Sequence, residues 1–306
     1  MPTPLQTLHQ QGYILLPSLI PPSTLQKLRT AATNITTLSR TGAWPHVRTV
    51  GKQFPPWDST LVASGQTGIW GVQHLLHPDL PVSEEDRGEF VKVYFGREVL
   101  GVVEGLVGGE EGGMVMELMN MLVRPDGEGF ELAWHRDDVP ASATEEEERE
   151  RLRPKGGGEE GWYGHAQWNL ALWDDDALIV VPGSHARPRT EAERAAGPYQ
   201  DPLEGQVRVA LKAGDVVFYD NNILHRGVYD AGKERMTLHG SVGHVRGSAE
   251  RARNVLQHGV GEYVDRCDFS ALGEGVEREV AEGMRRRLVE LGRENQGRDI
   301  GYSLEG

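Results

Sequence analysis

A β-sandwich or β-barrel core, carrying an N-terminal helical layer and a C-terminal helix, is the architecture this sequence predicts. Two observations predict it. Between residues 114 and 245, short strand-like runs recur at close intervals, punctuated by Gly, Pro, Asp and Asn. Outside that span, apolar residues return at helical spacing.

The elements follow in order. Gly12-Tyr13-Ile14-Leu15-Leu16-Pro17 is a short apolar run ended by proline, as a strand is. Ser23 is placed to cap a helix whose buried stripe is Leu25, Leu28, Ala31 and Ala32. Residues 40–90 are rich in Gly, Pro and Trp without periodicity, and read as loops and short helices. Residues 90–107 have the spacing of one buried helix, stopped by Gly108-Gly109. Two strands, 114–123 and 131–134, flank the turn Arg124-Pro125-Asp126-Gly127. The charge run 145–153 and Gly156-Gly157-Gly158 contain no core residues, so 141–161 reads as an exposed insertion. Strands are expected at 166–173, 177–181, 207–211, 215–219, 223–229 and 236–245, and a helix at 273–292. No repeat and no break in composition appears. The chain 1–306 is therefore expected to be one domain, with 246–306 as a C-terminal helical extension.

Composition narrows the function. The 306 residues are 38% hydrophobic and long enough to bury a core. The single cysteine, Cys267, excludes an internal disulfide framework and fits a reducing compartment. With no apolar run of ~18 residues and no secretory leader in view, a cytoplasmic protein without a membrane partner is expected. There are 32 basic and 46 acidic residues, a net charge of −14 that repels polyanions. A small-molecule substrate is thus favoured over nucleic acid. Oligomeric state is not readable.

His135-Arg136-Asp137 follows a strand-like run, where residues i and i+2 point to one face. An imidazole and a carboxylate there converge on one ion. His225, at the end of the apolar run 214–225, is the candidate third ligand. Two histidines and one carboxylate leave coordination positions open, as in non-haem Fe(II) oxygenases, whereas zinc favours a closed tetrahedral set. Two His-x-Asp triplets occur, against about 0.6 expected by chance, so the triplet is weak alone. The second, His77-Pro78-Asp79, carries proline at its centre and reads as a surface turn. Arg235 lies ten residues after His225 at the start of a strand. From there its planar fork can take a carboxylate such as the distal one of 2-oxoglutarate.

Taken together, GYILLP (12–17), WHRD (134–137), VVPGSH (180–185), GDVVFYDNNILHRG (214–227) and Arg235 resemble the phytanoyl-CoA dioxygenase family of Fe(II)/2-oxoglutarate-dependent oxygenases, over about residues 10–245. The resemblance implies a double-stranded β-helix (jelly-roll) core with helices outside, and so a mainly β fold with flanking helices. It implies His135, Asp137 and His225 as iron ligands and Arg235 as the 2-oxoglutarate anchor. It also implies O2 as a reactant and a substrate C–H bond oxidised as succinate and CO2 are released. Retention of Asp137 speaks against halogenating relatives.

Weaker candidates surround this set. Asn120, on a strand expected beside the His-x-Asp strand, and Gln167 and Asn169, alternating along another, are candidates to bond a 2-oxoglutarate carboxylate. Trp134 should face away from the metal into the core, and His185 should serve its turn. Trp70, Gln73, His74, Trp162 and Tyr163 are candidates for a lid or substrate wall. Two other readings stay open: an oxygenase acting on a protein side chain or nucleic-acid base, and a non-catalytic binding module of the same fold. A cupin is disfavoured, since no close His-x-His with a following Glu occurs.

Overall fold

The computed structural model describes residues 2–107, 112–152, 164–247 and 251–300. Two antiparallel sheets face each other. The larger runs, in spatial order, β1 (Tyr13–Leu16), β9 (Val216–Tyr219), β6 (His165–Ala171), β11 (Met236–His244), β4 (Met114–Val123), β3 (Ile69–Val72) and β2 (Val47–Thr49). The smaller runs β5 (Phe130–Glu131), β10 (Leu224–Tyr229), β7 (Leu178–Val181) and β8 (Val207–Arg208). This is the jelly-roll that the sequence led one to expect.

Strand alternation decides what lies on each side. Phe218, Trp168, Leu170, Leu238, Met121 and Val123 point out of the larger sheet into the main core. Helices cover that face: α1 (Pro4–Gln11), α2 (Pro22–Arg40), α4 (Glu84–Phe95), α5 (Arg97–Val107) and α9 (Val276–Glu294), contributing Leu8, Ile35, Phe90, Val103, Met284 and Leu288. Their neighbours in the strands point inward. Ala171, Val217 and Tyr219 meet Leu178 and Val180 of the smaller sheet, and Trp70 and Leu122 meet Tyr229. The polar site lies on this inner face. Gly240 is required on the outer one, because a Cβ there would stand 2.2 Å from the Trp168 ring.

Several boundaries differ from the expectations. Residues 40–90 hold β2 and β3 as well as the short helix α3 (Ser59–Ala63). Each strand is only three or four residues long, with Gly71 inside β3, so neither carries a visible period. The expected single helix 90–107 is two helices that break at Gly96, where a Cβ would stand 2.5 Å from the Lys92 carbonyl oxygen. Helix α2 is capped by the Pro21 backbone, and Ser23 lies inside its first turn. The 131–134 strand reduces to β5, and 207–211 to β8 plus a single bridge between Leu211 and Asp175. Asn120 does not neighbour the His-x-Asp segment: β4 pairs with β11 and β3, and β5 pairs with β10.

The expected insertion is not wholly exposed. Residues Glu145–Arg151 form α6, opened by a reciprocal Thr144–Glu147 capping box. Its Glu148 is fully buried and holds Arg189, next to α7 (Glu191–Ala195), and Arg194 within it. The glycine run 156–158, Gly108-Gly109, Trp162 and Tyr163 lie outside the described residues. After β11, α8 (Ala252–Gln257) and α9 return to the main core, where α9 lies against β4. Among the described residues no helix is long and apolar enough to cross a membrane.

Candidate active site

His135 and His225 exchange both backbone hydrogen bonds, His135 N–H to His225 O at 3.0 Å and the reverse at 3.0 Å. That is the closed pair of an antiparallel ladder, and it sets the two side chains beside each other on one face. Their ring centroids are 4.3 Å apart. Asp137 is held two residues on by its N–H to Asn221 O at 3.0 Å. Its Oδ1 lies 3.7 Å from Nε2 of each histidine. One ligand atom from each of the three lies within 4.8 Å of the others. The 3.7 Å gaps are too long for hydrogen bonds and suit donors that share an ion.

Local backbone fixes the histidine tautomers. His135 Nδ1 lies 2.7 Å from Ala133 O and His225 Nδ1 2.8 Å from Ile223 O. A carbonyl only accepts, so Nδ1 carries the proton and Nε2 presents its lone pair. Burial, with His135 alongside, lowers His225 to about 4, so it stays neutral and ready to ligate. The Gln167 amide donates to Asp137 Oδ2 at 3.2 Å and orients the carboxylate. Between the inward residues, Arg136 points the other way and donates to Ser184, Asn222 and Arg187 carbonyls. Trp134 packs outward with Ile179 and Val181, as expected. His185 is buried in its turn against His9 O.

Arg235 enters from the opposite sheet and is buried. Its Nε donates to Asp175 Oδ2 at 3.0 Å, and Thr237 donates to the same oxygen at 2.6 Å. The guanidinium sits 4.5 Å over the Tyr229 ring. Burial opposes its charge, but Asp175 and Tyr229 outweigh that and raise its pKa. Nη1 is buried without a partner. A buried donor left open in this way is costly unless something fills it. Asn120, also facing inward, accepts from His74 N–H through Oδ1 and leaves Nδ2 buried and unpartnered. Two histidine lone pairs, a carboxylate, and two open N–H donors are the donor set that a ferrous ion and a keto-dicarboxylate need. The residues fit both groups.

The three polar candidates thus differ. Gln167 is engaged by Asp137, Asn169 bonds His239 Nδ1 through Oδ1 at 2.8 Å, and Asn120 keeps a buried Nδ2 without a partner. Trp70, Gln73 and His74 are buried inside the fold, where a lid was one expectation. His77 is no surface residue: it is buried against the Trp44 and Tyr263 rings, with only Asp79 exposed. Sequence reasoning missed Arg48, Asp175, Tyr229 and His239, which meet the site only through strand register. The alternation of Arg235, Thr237 and His239 was the one signal that could have found His239.

A jelly-roll with this inward His–Asp–His cluster defines a class of metal-dependent oxygenase, and the sequence matches that class. The chain belongs to the phytanoyl-CoA dioxygenase (PhyH) family, which it matches over residues 8–229. It is an Fe(II)/2-oxoglutarate-dependent dioxygenase. Solved structures share the fold. AviO1 from Streptomyces viridochromogenes Tue57 superposes with a TM-score of 0.53 at 19% identity, over 78% of this chain and 92% of that one. EctD from S. alaskensis, solved with 2-oxoglutarate and 5-hydroxyectoine, gives 0.53 at 18% identity, covering 78% and 74%. HygX from Streptomyces hygroscopicus, solved with nickel, 2-oxoglutarate and hygromycin B, gives 0.52 at 14%, covering 77% and 84%. No curated protein matches the sequence significantly.

Proposed function

We propose that His135, Asp137 and His225 hold Fe(II), that Arg235 holds the distal carboxylate of 2-oxoglutarate, and that the enzyme oxidises a C–H bond of a small-molecule metabolite. One observation carries this reading: three ligand atoms within 4.8 Å of each other, facing a buried guanidinium with an open N–H. When bound, iron and 2-oxoglutarate supply O2 activation, with release of succinate and CO2.

The chain's own residues do the rest. Nδ1–H bonds to Ala133 and Ile223 keep both imidazoles turned toward the ion. Gln167 holds Asp137, so the open coordination positions keep one orientation. Asp175, itself held by Thr237, pins Arg235 through Nε and leaves Nη1 to the co-substrate. Asn120 Nδ2, at the level of His239 in the ladder, is a further donor inside the site for a co-substrate carboxylate. The apolar walls from Tyr219, Leu122, Trp70 and Tyr229 keep the cavity dry. A small-molecule substrate agrees with the −14 charge and with the ligands in the HygX and EctD structures. A reducing compartment suits ferrous iron and the buried thiol of Cys267.

The test is succinate release from 2-oxoglutarate with Fe(II), using His135→Ala as control and separate metabolite, peptide and oligonucleotide panels. Iron-dependent turnover stimulated by a metabolite is expected. Stimulation by a peptide or oligonucleotide alone would replace the substrate class. Absence of iron-dependent 2-oxoglutarate turnover in every panel would make the protein a binding module.

A further inference from the structure

Six arginines are buried in the described residues: Arg48, Arg136, Arg189, Arg226, Arg235 and Arg251. Five are accounted for. Arg189, Arg226, Arg235 and Arg251 have carboxylates, and Arg136 has three carbonyls. Arg48, on β2, is the exception. It is 5% exposed, its Nε has no partner, and no described carboxylate lies within ion-pair distance. Burial lowers its pKa to about 10, still fully charged at neutral pH. A buried cation without a counter-ion is among the most costly arrangements a fold can keep.

Register shows where it points. Arg48 stands opposite Gly71, Gly71 opposite Leu122, and Leu122 opposite Thr237. These positions share the inner face, three strand spacings, or about 14 Å, from end to end. Gly71 leaves the way open: a Cβ there would meet Arg48 Cβ and Cδ at 3.3 Å and Gln73 Nε2 at 3.1 Å. The arginine therefore lies across the glycine toward the sheet's centre, with its guanidinium 5.2 Å over the buried Trp70 ring. Tyr229, Asp137 and Tyr219, the groups that act on its charge, all belong to the active site. Gln73 beside it is fully buried, with both amide atoms unpartnered. Arginine and amide together are a buried pair of unsatisfied polar groups suited to an anion, on the opposite flank from Arg235.

We propose that Arg48, with the Gln73 amide, binds a carboxylate of the substrate, so that the enzyme acts on carboxylate-bearing metabolites. This rests on the active-site reading above, in which the two ends of 2-oxoglutarate are already taken by the metal and by Arg235. Gly71 is then a specificity position, since a side chain there crowds both the arginine and the amide.

The experiment loads the protein with Mn(II) and saturating 2-oxoglutarate and compares acetate with acetamide, its neutral isostere, by saturation-transfer NMR. Wild type should bind acetate at least tenfold more tightly than acetamide. Arg48→Met should abolish that preference, Arg48→Lys should keep part of it, and 2-oxoglutarate affinity in Arg48→Met should stay within about twofold. Arg48→Met should also melt no lower than wild type, because it removes an uncompensated charge. A preference for acetate that survives Arg48→Met overturns the proposal. So does a tenfold loss of 2-oxoglutarate affinity, which would make Arg48 a co-substrate anchor, or a lower melting temperature, which would make it structural. Failure of wild type to bind Mn(II) and 2-oxoglutarate would count against the active-site reading alone. The acetate comparison is therefore repeated on metal-free protein carrying Arg235→Met, where the same dependence on Arg48 is expected and its absence again overturns the proposal.

Discussion

At the scale of single residues, the site is built from pairs in which one member orients another. In the proposed site Asp137 is a metal ligand, so Asp137→Ala should lower iron-dependent turnover by at least about 100-fold with lost Mn(II) binding in calorimetry. Gln167→Leu leaves the ligand but frees its Oδ2, and should weaken metal binding by about 10- to 100-fold at unchanged fold, read by calorimetry and circular dichroism. Titration gives a further test. Burial lowers His225 to about 4 and, with Arg48 nearby, His239 to about 3. Unfolded histidine takes up its proton near pH 6.5. Below that value the unfolded chain binds protons that the folded chain does not. Metal-free protein should therefore lose stability as pH falls from about 6.5 to 4, at up to roughly 1.4 kcal/mol per pH unit for each such histidine. Urea unfolding at pH 7, 6 and 5 measures the slope, and His239→Asn should make it shallower. That His135, Asp137 and His225 would cluster was legible, because chemistry and i,i+2 spacing mark them in one dimension, and Arg235 stood out at a strand start. Arg48 and His239 were not, because only cross-strand register brings them to the site.

Among elements, legibility followed burial pattern. β4, β7 and β9 are near-continuous apolar runs, visible in any window, whereas β10 and β11 mix apolar residues with the polar ones that face the site. β2 and β3 are too short for a period, and α4 is buried nearly all round, including Asp86 and Glu89, so its stripe is blurred. α6 misled for another reason: seven residues of Glu and Arg read as solvated, yet one of them is a buried anion joining α6 to α7 and to the segment just before it. Glu148→Ala strands the buried Arg189 and frees Arg194. It should cost about 3–5 kcal/mol in urea unfolding, far more than the exposed neighbour Glu146→Ala. A similar contrast holds on β11. Gly240→Val drives a side chain into Trp168 and should destabilise by about 1–3 kcal/mol or more.

For the whole molecule, the helical extension after β11 is part of the structure that supports the site. α9 buries Ala281, Met284 and Leu288, and Arg287 Nε donates to Met114 O at 2.6 Å. The stretch between α8 and α9 reaches the inner wall, where His258 O meets His74 Nε2 at 2.7 Å. Ending the chain at residue 247 should therefore lower the melting temperature by many degrees and leave part of the protein aggregated, measured by calorimetry and size-exclusion chromatography. The order of strands carries one more consequence. Among the described residues β1 finds its one ladder partner in β9, about 200 residues later, and His135 finds its backbone partner in His225. Neither pairing exists while the first two hundred residues are emerging from the ribosome. The nascent chain thus has no assembled cage for a redox-active metal, and loading must wait until synthesis has passed residue 225 and the last strands have closed.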